Sequence, residues 1–240
     1  MVILQLKSHM KTPFLPLLLA FLVGFSSCET AEKEPALVKD ASGRLIAGIS
    51  KNYYDDGKIR NEVPVKDGMR HGVAREYYES GQLAAAIEYQ ANLKNGWSKW
   101  YYKDGILYQE AQFVANQKEG IEKKYYNTGE LMAVLKWKGG KTAPGLLEYQ
   151  LNGKAIKQPS IVVQEKAGKW EIRLSNGATN VKFYRGSLGS EDAFDEEAHT
   201  LLATIDGVAS LPIDDQALQV IAVRRSNMKN QQVLLYTAQP

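Results

Sequence analysis

A period of 24 residues governs the middle of this chain. Tyr53-Tyr54, Tyr77-Tyr78, Tyr101-Tyr102 and Tyr125-Tyr126 stand at that spacing, with a weaker echo at Tyr149-Gln150. Three residues after the second member of each pair comes a glycine: Gly57, Gly81, Gly105, Gly129 and then Gly153. Two residues further on lies an apolar residue, Ile59, Leu83, Leu107 or Leu131. Columns held in phase over so long a stretch mark a repeat architecture, in which each unit is stable only by stacking on its neighbours.

Each unit reads as a β-hairpin. In the second, Val73–Tyr78 is rich in β-favouring residues, Glu79–Gln82 is a turn, and Leu83–Gln90 is a second strand. The turn glycine answers a steric demand, because a tight hairpin needs positive φ. Along the second strands the apolar residues alternate: Ile59, Val63, Val65; Leu83, Ile87, Tyr89; Leu107, Ala111, Phe113; Leu131, Leu135, Trp137. Period two places each set on one sheet face, and period 24 stacks the sets into columns. Glu88, Glu110, Gln112 and Lys136 stand between them and are expected to face water. Ala91–Gly96 reads as the return to the next unit, with Asn95-Gly96 and its counterparts Arg70-His71-Gly72 and Glu119-Gly120 as the turn dipeptides. The fold class expected is all-β: an elongated antiparallel β-meander of about four and a half repeats over 45–155, then a small β-sandwich over 156–240.

The units YYDDGKI, YYESGQL, YYKDGIL and YYNTGEL, each followed by a polar and aromatic strand, resemble the MORN-repeat variant, best known in bacterial chains labelled YwqK-family antitoxins. The resemblance implies a twisted sheet used for binding, without catalytic machinery. It implies no particular partner, since fold-level likeness does not carry one.

Ahead of the repeats, Lys7 and Lys11 precede the apolar run Phe14–Phe25. That run is shorter than the roughly 20 residues of a spanning helix and reads as a secretory leader over 1–28. Met10-Lys11 makes the more ordinary start of such a leader. It ends Phe25-Ser26-Ser27-Cys28, which is similar to a bacterial lipobox, so Cys28 is the expected lipidation site. Residues 29–44 read as a flexible tether, and Glu29, Glu32 and Glu34 resemble the export signals of Bacteroidetes-like surface lipoproteins. The expected location is the cell envelope, lipid-anchored at the outer membrane, on its periplasmic or surface side. Cys28 is the single cysteine, which excludes an intramolecular disulfide framework.

Beyond residue 156 the grammar changes to short β segments separated by turn signals such as Ala167-Gly168, Ser175-Asn176-Gly177 and Asp206-Gly207. Trp170 and the run VKFYRGS loosely resemble fibronectin-type-III or immunoglobulin-like modules.

The charge count excludes one class of partner. Of 30 basic and 27 acidic residues, Lys7 and Lys11 belong to the leader, leaving 28 against 27, or +1. A nearly neutral, mixed surface is not a nucleic-acid footprint.

The chain contains no Gly-x-Ser-x-Gly elbow, P-loop, Rossmann fingerprint, His-Glu-x-x-His or Cys-x-x-Cys. No catalytic residue, metal ligand or cofactor is therefore expected. His199, beside Asp192, Asp195, Glu196 and Glu197, is the nearest approach to an oxygen-rich cation site, but its spacing matches no EF-hand pattern, and acidic runs are usually solvated loops.

Adjacent tyrosines point to opposite faces, so at most one of each pair belongs to the core face. The column Tyr54, Tyr78, Tyr102 and Tyr126, or its neighbour, is the expected recognition strip, together with Trp100, because such side chains join an apolar body to a polar tip. The expected function is a non-enzymatic envelope lipoprotein binding a protein or polysaccharide partner. The alternative is an antitoxin or immunity protein that neutralises a toxin by direct binding.

Overall fold

A computed structural model describes residues 36–188, 193–214, 216–226 and 232–238. The expected leader, Cys28 and the tether residues through 35 lie outside the described residues.

The repeats form one 12-stranded antiparallel sheet. Its strands are β1 (Val38–Lys39), β2 (Leu45–Tyr53), β3 (Ile59–Lys66), β4 (Met69–Arg70), β5 (Gly72–Tyr77), β6 (Leu83–Gln90), β7 (Leu93–Tyr101), β8 (Leu107–Val114), β9 (Gln117–Tyr125), β10 (Leu131–Lys138), β11 (Lys141–Tyr149) and β12 (Ala155–Ile156). Each lies beside the next in sequence, with β4 a short arm on β3. The sheet thus begins at Val38, inside the stretch that reads as a tether. There the Asp40 carboxylate accepts from the backbone of Ser42 and Arg44 and builds a tight turn.

The hairpin turns repeat bond for bond. Tyr54 N–H donates to Lys58 C=O and Gly57 N–H to Tyr54 C=O, and the pattern recurs at 78, 102, 126 and 150. Gly105, with φ +87, is typical of the left-handed residue that closes each turn. The return turns lie elsewhere than the sequence implies. They are Asp67-Gly68, Ala91-Asn92, Ala115-Asn116 and Gly139-Gly140, all with positive φ at both positions, the type I′ geometry that matches strand twist. Asn92 and Asn116 suit it because a short polar side chain tolerates that region, and their Oδ1 atoms reach across to the preceding unit, accepting from Arg70 N–H and Lys94 N–H. The glycines at 96 and 120 sit instead inside β7 and β9, at register shifts. At Gly96 a Cβ would strike the Glu88 carboxylate, which accepts from Trp97 N–H. It is a bulge that sequence alone confuses with a turn.

One face of the sheet is apolar. Across it runs the row Ala74, Ile87, Ser98, Ala111, Glu122, Leu135, every member buried. Long basic side chains cover its aromatic flank. Arg70 lies over Tyr89 at 4.2 Å, Lys94 over Phe113 at 5.3 Å and Lys118 over Trp137 at 4.5 Å. These pairs recur with the 24-residue period, so the cationic heads themselves lie over the rings, and Lys118 also meets the buried Glu122 carboxylate. The opposite face carries the ladder Lys51, Glu62, Arg75, Ala86, Lys99, Glu110, Lys123, where Glu110 lies 3.9 Å from Lys99 and 3.6 Å from Lys123.

The C-terminal part is two four-stranded sheets. One has the order β13 (Ile161–Lys166), β14 (Lys169–Leu174), β18 (Val208–Pro212), β17 (Thr204–Ile205); the other, β16 (Thr200–Leu202), β15 (Val181–Arg185), β19 (Gln219–Arg225), β20 (Gln232–Ala238). Ile172, Leu174, Ala209 and Leu211 from the first meet Val181, Phe183, Val220 and Ala222 from the second in one core. Leu235 on β20 also packs against Ala133, Leu135 and Leu146 of the repeat sheet. The last repeat is thereby joined to the sandwich, and a Lys141–Asp195 ion pair at 2.7 Å and a Phe194 N–H bond to Thr142 C=O add to the junction.

Candidate functional site

The rim formed by the tyrosine-bearing turns is where the expected binding residues gather. Each second tyrosine reaches into the next repeat. Tyr54, Tyr78, Tyr102 and Tyr126 donate their hydroxyls to the C=O groups of Tyr77, Tyr101, Tyr125 and Tyr149, at 2.5 to 2.9 Å. These tyrosines are half-buried, and their hydroxyls staple unit to unit. The column expected as a recognition strip therefore has an internal task, while the Tyr54 and Tyr78 rings also line open clefts. Trp100 is on the apolar face, opposite Ala85 and Gln109, edge-on to Phe113 at 6.3 Å. Its position is in packing and away from the rim.

The first tyrosines have another role. Tyr77 donates to Glu62 and Tyr125 to Glu110, both at 2.9 Å on the charged face. Burial, and after it the bond to Glu110, pushes the Tyr125 phenol up to about 12; burial and Glu62 raise Tyr77 in the same direction. With a folded pKa above the unfolded value of about 10, the Tyr125 contribution to stability is fully present below that value. It is lost as pH rises through about 12. A near-ultraviolet alkaline titration is expected to show a late-ionising phenol that Tyr125→Phe removes and Glu110→Gln moves to lower pH. An unchanged titration curve in both variants would contradict this assignment.

Between successive hairpin tips lie equivalent clefts. The first is lined by Tyr53, Tyr54, Asp55, Asp56, Arg60 and Glu79, the second by Tyr54, Tyr78, Glu79, Ser80 and Lys103. Tyr53 is 56 % exposed, and Arg60 lies over the Tyr54 ring at 5.8 Å. Asp56 is held below the usual carboxylate range chiefly by its bond to Lys58, at 2.7 Å. Asp55, Glu79 and Arg60 were not singled out by sequence reasoning. The available signal was the position after each second tyrosine, occupied by Asp55, Glu79, Lys103 and Asn127, polar in every unit.

The acidic run has its own partners. Asp195 pairs with Lys141, and Glu196 with Lys182 at 3.0 Å and with the Tyr184 hydroxyl at 2.5 Å. The His199 ring nitrogens face the C=O groups of Asp195 and Ser187. Among the described residues no group of three or more His, Cys, Asp or Glu is placed to hold a metal ion. Asp192 lies outside the described residues. His71 is exposed beside β5, its N–H donating to Pro64 C=O.

Comparison with known families gives one match. The model of the MORN repeat variant fits residues 47–67, 70–91, 94–115 and 118–138, four tandem units. Each match spans a first strand, a tyrosine turn and a second strand. The hairpin at Gln150–Lys154 lies beyond the last match and keeps the same turn bonds. No curated protein matches the chain.

Proposed function

We propose that this protein is a non-enzymatic, lipid-anchored module of the cell envelope that binds a protein or polysaccharide partner through the rim of its repeat sheet. The observation that carries the reading is the pair of successive clefts at the first hairpin tips, lined by tyrosine rings and charged side chains. Concave sites with convergent polar groups are the default binding surfaces of proteins. The apolar face, by contrast, is covered by its own basic side chains and, at its far end, by the sandwich.

The state of one acid in the first cleft supports the non-enzymatic reading. Glycoside hydrolysis needs one carboxyl raised to act as an acid, whereas Asp56 is lowered by Lys58, and the second cleft replaces the Asp55-Asp56 pair by Glu79-Ser80. The anchor rests on the leader and Cys28. The sandwich, with β13-β14-β18-β17 facing β16-β15-β19-β20, has the strand order of immunoglobulin-type modules, which supports reading it as an Ig-like platform beneath the repeats. An antitoxin role draws on the family label, and no feature of the rim selects it.

The test compares wild type, Cys28→Ala and a Tyr53→Ala/Arg60→Ala variant in cells. Fatty-acid label and membrane association are expected to vanish with Cys28→Ala. Retention of envelope polysaccharide or protein is expected to fall about tenfold with the rim variant, the equivalent of losing about 1.4 kcal/mol of binding, at unchanged melting temperature. Unlabelled wild type would end the anchor; undiminished retention would end the rim.

A further inference from the structure

We infer that the rim clefts take a linear, uncharged, β-linked polysaccharide whose two-sugar repeat matches the spacing of the hairpin tips. The inference rests on the rim being the binding surface and names what that surface binds.

The clefts are translationally equivalent. Tyr54, Asp55 and Glu79 line the first, and Tyr78, Glu79 and Lys103 line the second, each set shifted by one unit. Glu79 serves both. The ring and one carboxylate recur from cleft to cleft, while the place of the second carboxylate, Glu79, is taken by Lys103 in the second, so a chain whose hydroxyls both donate and accept can meet the two clefts at the same distance. Tips two strands apart stand roughly 9.6 Å from one another, which is about the advance of two sugars in an extended β-linked chain.

The chemistry of the tips favours a glycan over a peptide strand. An added strand needs unpaired backbone N–H and C=O groups. At the tips those groups are used internally, Tyr54 N–H on Lys58 C=O and Gly57 N–H on Tyr54 C=O, with copies at 78, 81 and 82. Side chains remain: the Asp55 and Glu79 carboxylates to accept from hydroxyls, Arg60 and Lys103 to donate, and tyrosine rings whose faces suit the C–H side of a sugar. The first cleft sets Asp55, Asp56 and Glu79 against Arg60, with Asp56 bonded to Lys58, and this acidic excess disfavours a uronate or sulfated chain. A neutral chain meets no such repulsion.

The experiment is calorimetric titration of the purified full chain with neutral β-1,4-linked oligosaccharides of two, four and six sugars, as a glucose series and an N-acetylglucosamine series. In at least one series affinity is expected to climb about tenfold with each added disaccharide, because later contacts form at high effective concentration. Asp55→Ala combined with Glu79→Ala should weaken the longest oligomer by about tenfold at an unchanged melting temperature, as both side chains are exposed. Absence of binding in both series, affinity independent of length, or full affinity in the double variant would each overturn the inference. If the sugars fail while the Tyr53→Ala/Arg60→Ala variant still loses envelope retention, the rim stands as a binding surface and the glycan assignment alone falls.

Discussion

Replacing Tyr54, Tyr78, Tyr102 and Tyr126 together by phenylalanine is expected to destabilise the repeat sheet by about 4 kcal/mol. Each substitution removes one hydroxyl bond to a backbone C=O of the next unit and keeps the ring. A net contribution of about 1 kcal/mol per bond is usual. Successive donors stand two strands apart, roughly 9.6 Å, far enough for their effects to add within a few tenths of a kcal/mol. The staples are among the side-chain bonds that couple unit to unit, so their loss acts on the nearest-neighbour terms that hold a repeat array together. Chemical denaturation is expected to show a lower midpoint and a broader transition for the quadruple variant. A loss below about 1 kcal/mol would mean that water replaces the hydroxyls without cost.

A second large effect centres on Glu122. Its repeat position is filled by Ser50, Ala74, Ser98 and Leu146 in the other units, and at 0 % exposure it places a carboxylate inside the apolar face. Lys118 meets Oε2 at 2.6 Å and Lys124 lies 3.5 Å from Oε1. Lys118→Ala withdraws the close partner, leaves the carboxylate poorly compensated, and uncovers the Trp137 ring. The expected cost is about 3 kcal/mol. Glu122→Leu removes the buried charge and restores the type of residue found at 146. It is expected to be neutral or stabilising by about 1 to 2 kcal/mol, since well-packed apolar groups often replace buried ion pairs without loss. Combining the two should recover most of the Lys118→Ala cost. Urea denaturation of all three variants closes the cycle; equal destabilisation by Lys118→Ala with and without Glu122 would show that the lysine acts through Trp137 alone.

Much of the fold was legible because the period fixes what recurs. Tyr-Tyr, the turn glycine and the alternating apolar residues predicted hairpins, and the apolar set Ile87, Ala111, Phe113 and Leu135 is buried as the alternation requires. The return turns were misplaced by a few residues. Asn-Gly and His-Gly are turn dipeptides by composition, but Ala91-Asn92 and Ala115-Asn116 make the I′ turns, and the glycines relieve bulges. Local propensity cannot separate these two uses of positive φ, because what distinguishes them is the partner strand.

By itself, then, the sequence determined the all-β class, the hairpin unit, its period and the alternation that gives the sheet two different faces. These follow from local sterics and from patterns only a few residues long. The tertiary structure decided what each tyrosine does, that Lys118 answers Glu122 while lying over Trp137, and that Asp55 and Glu79 border neighbouring clefts. Those facts depend on register. The staple joins residues 23 apart and the cation–aromatic pairs join residues 19 apart, separations that become contacts when antiparallel pairing sets one strand against another. A one-residue slip of that pairing would move every such side chain to the other face.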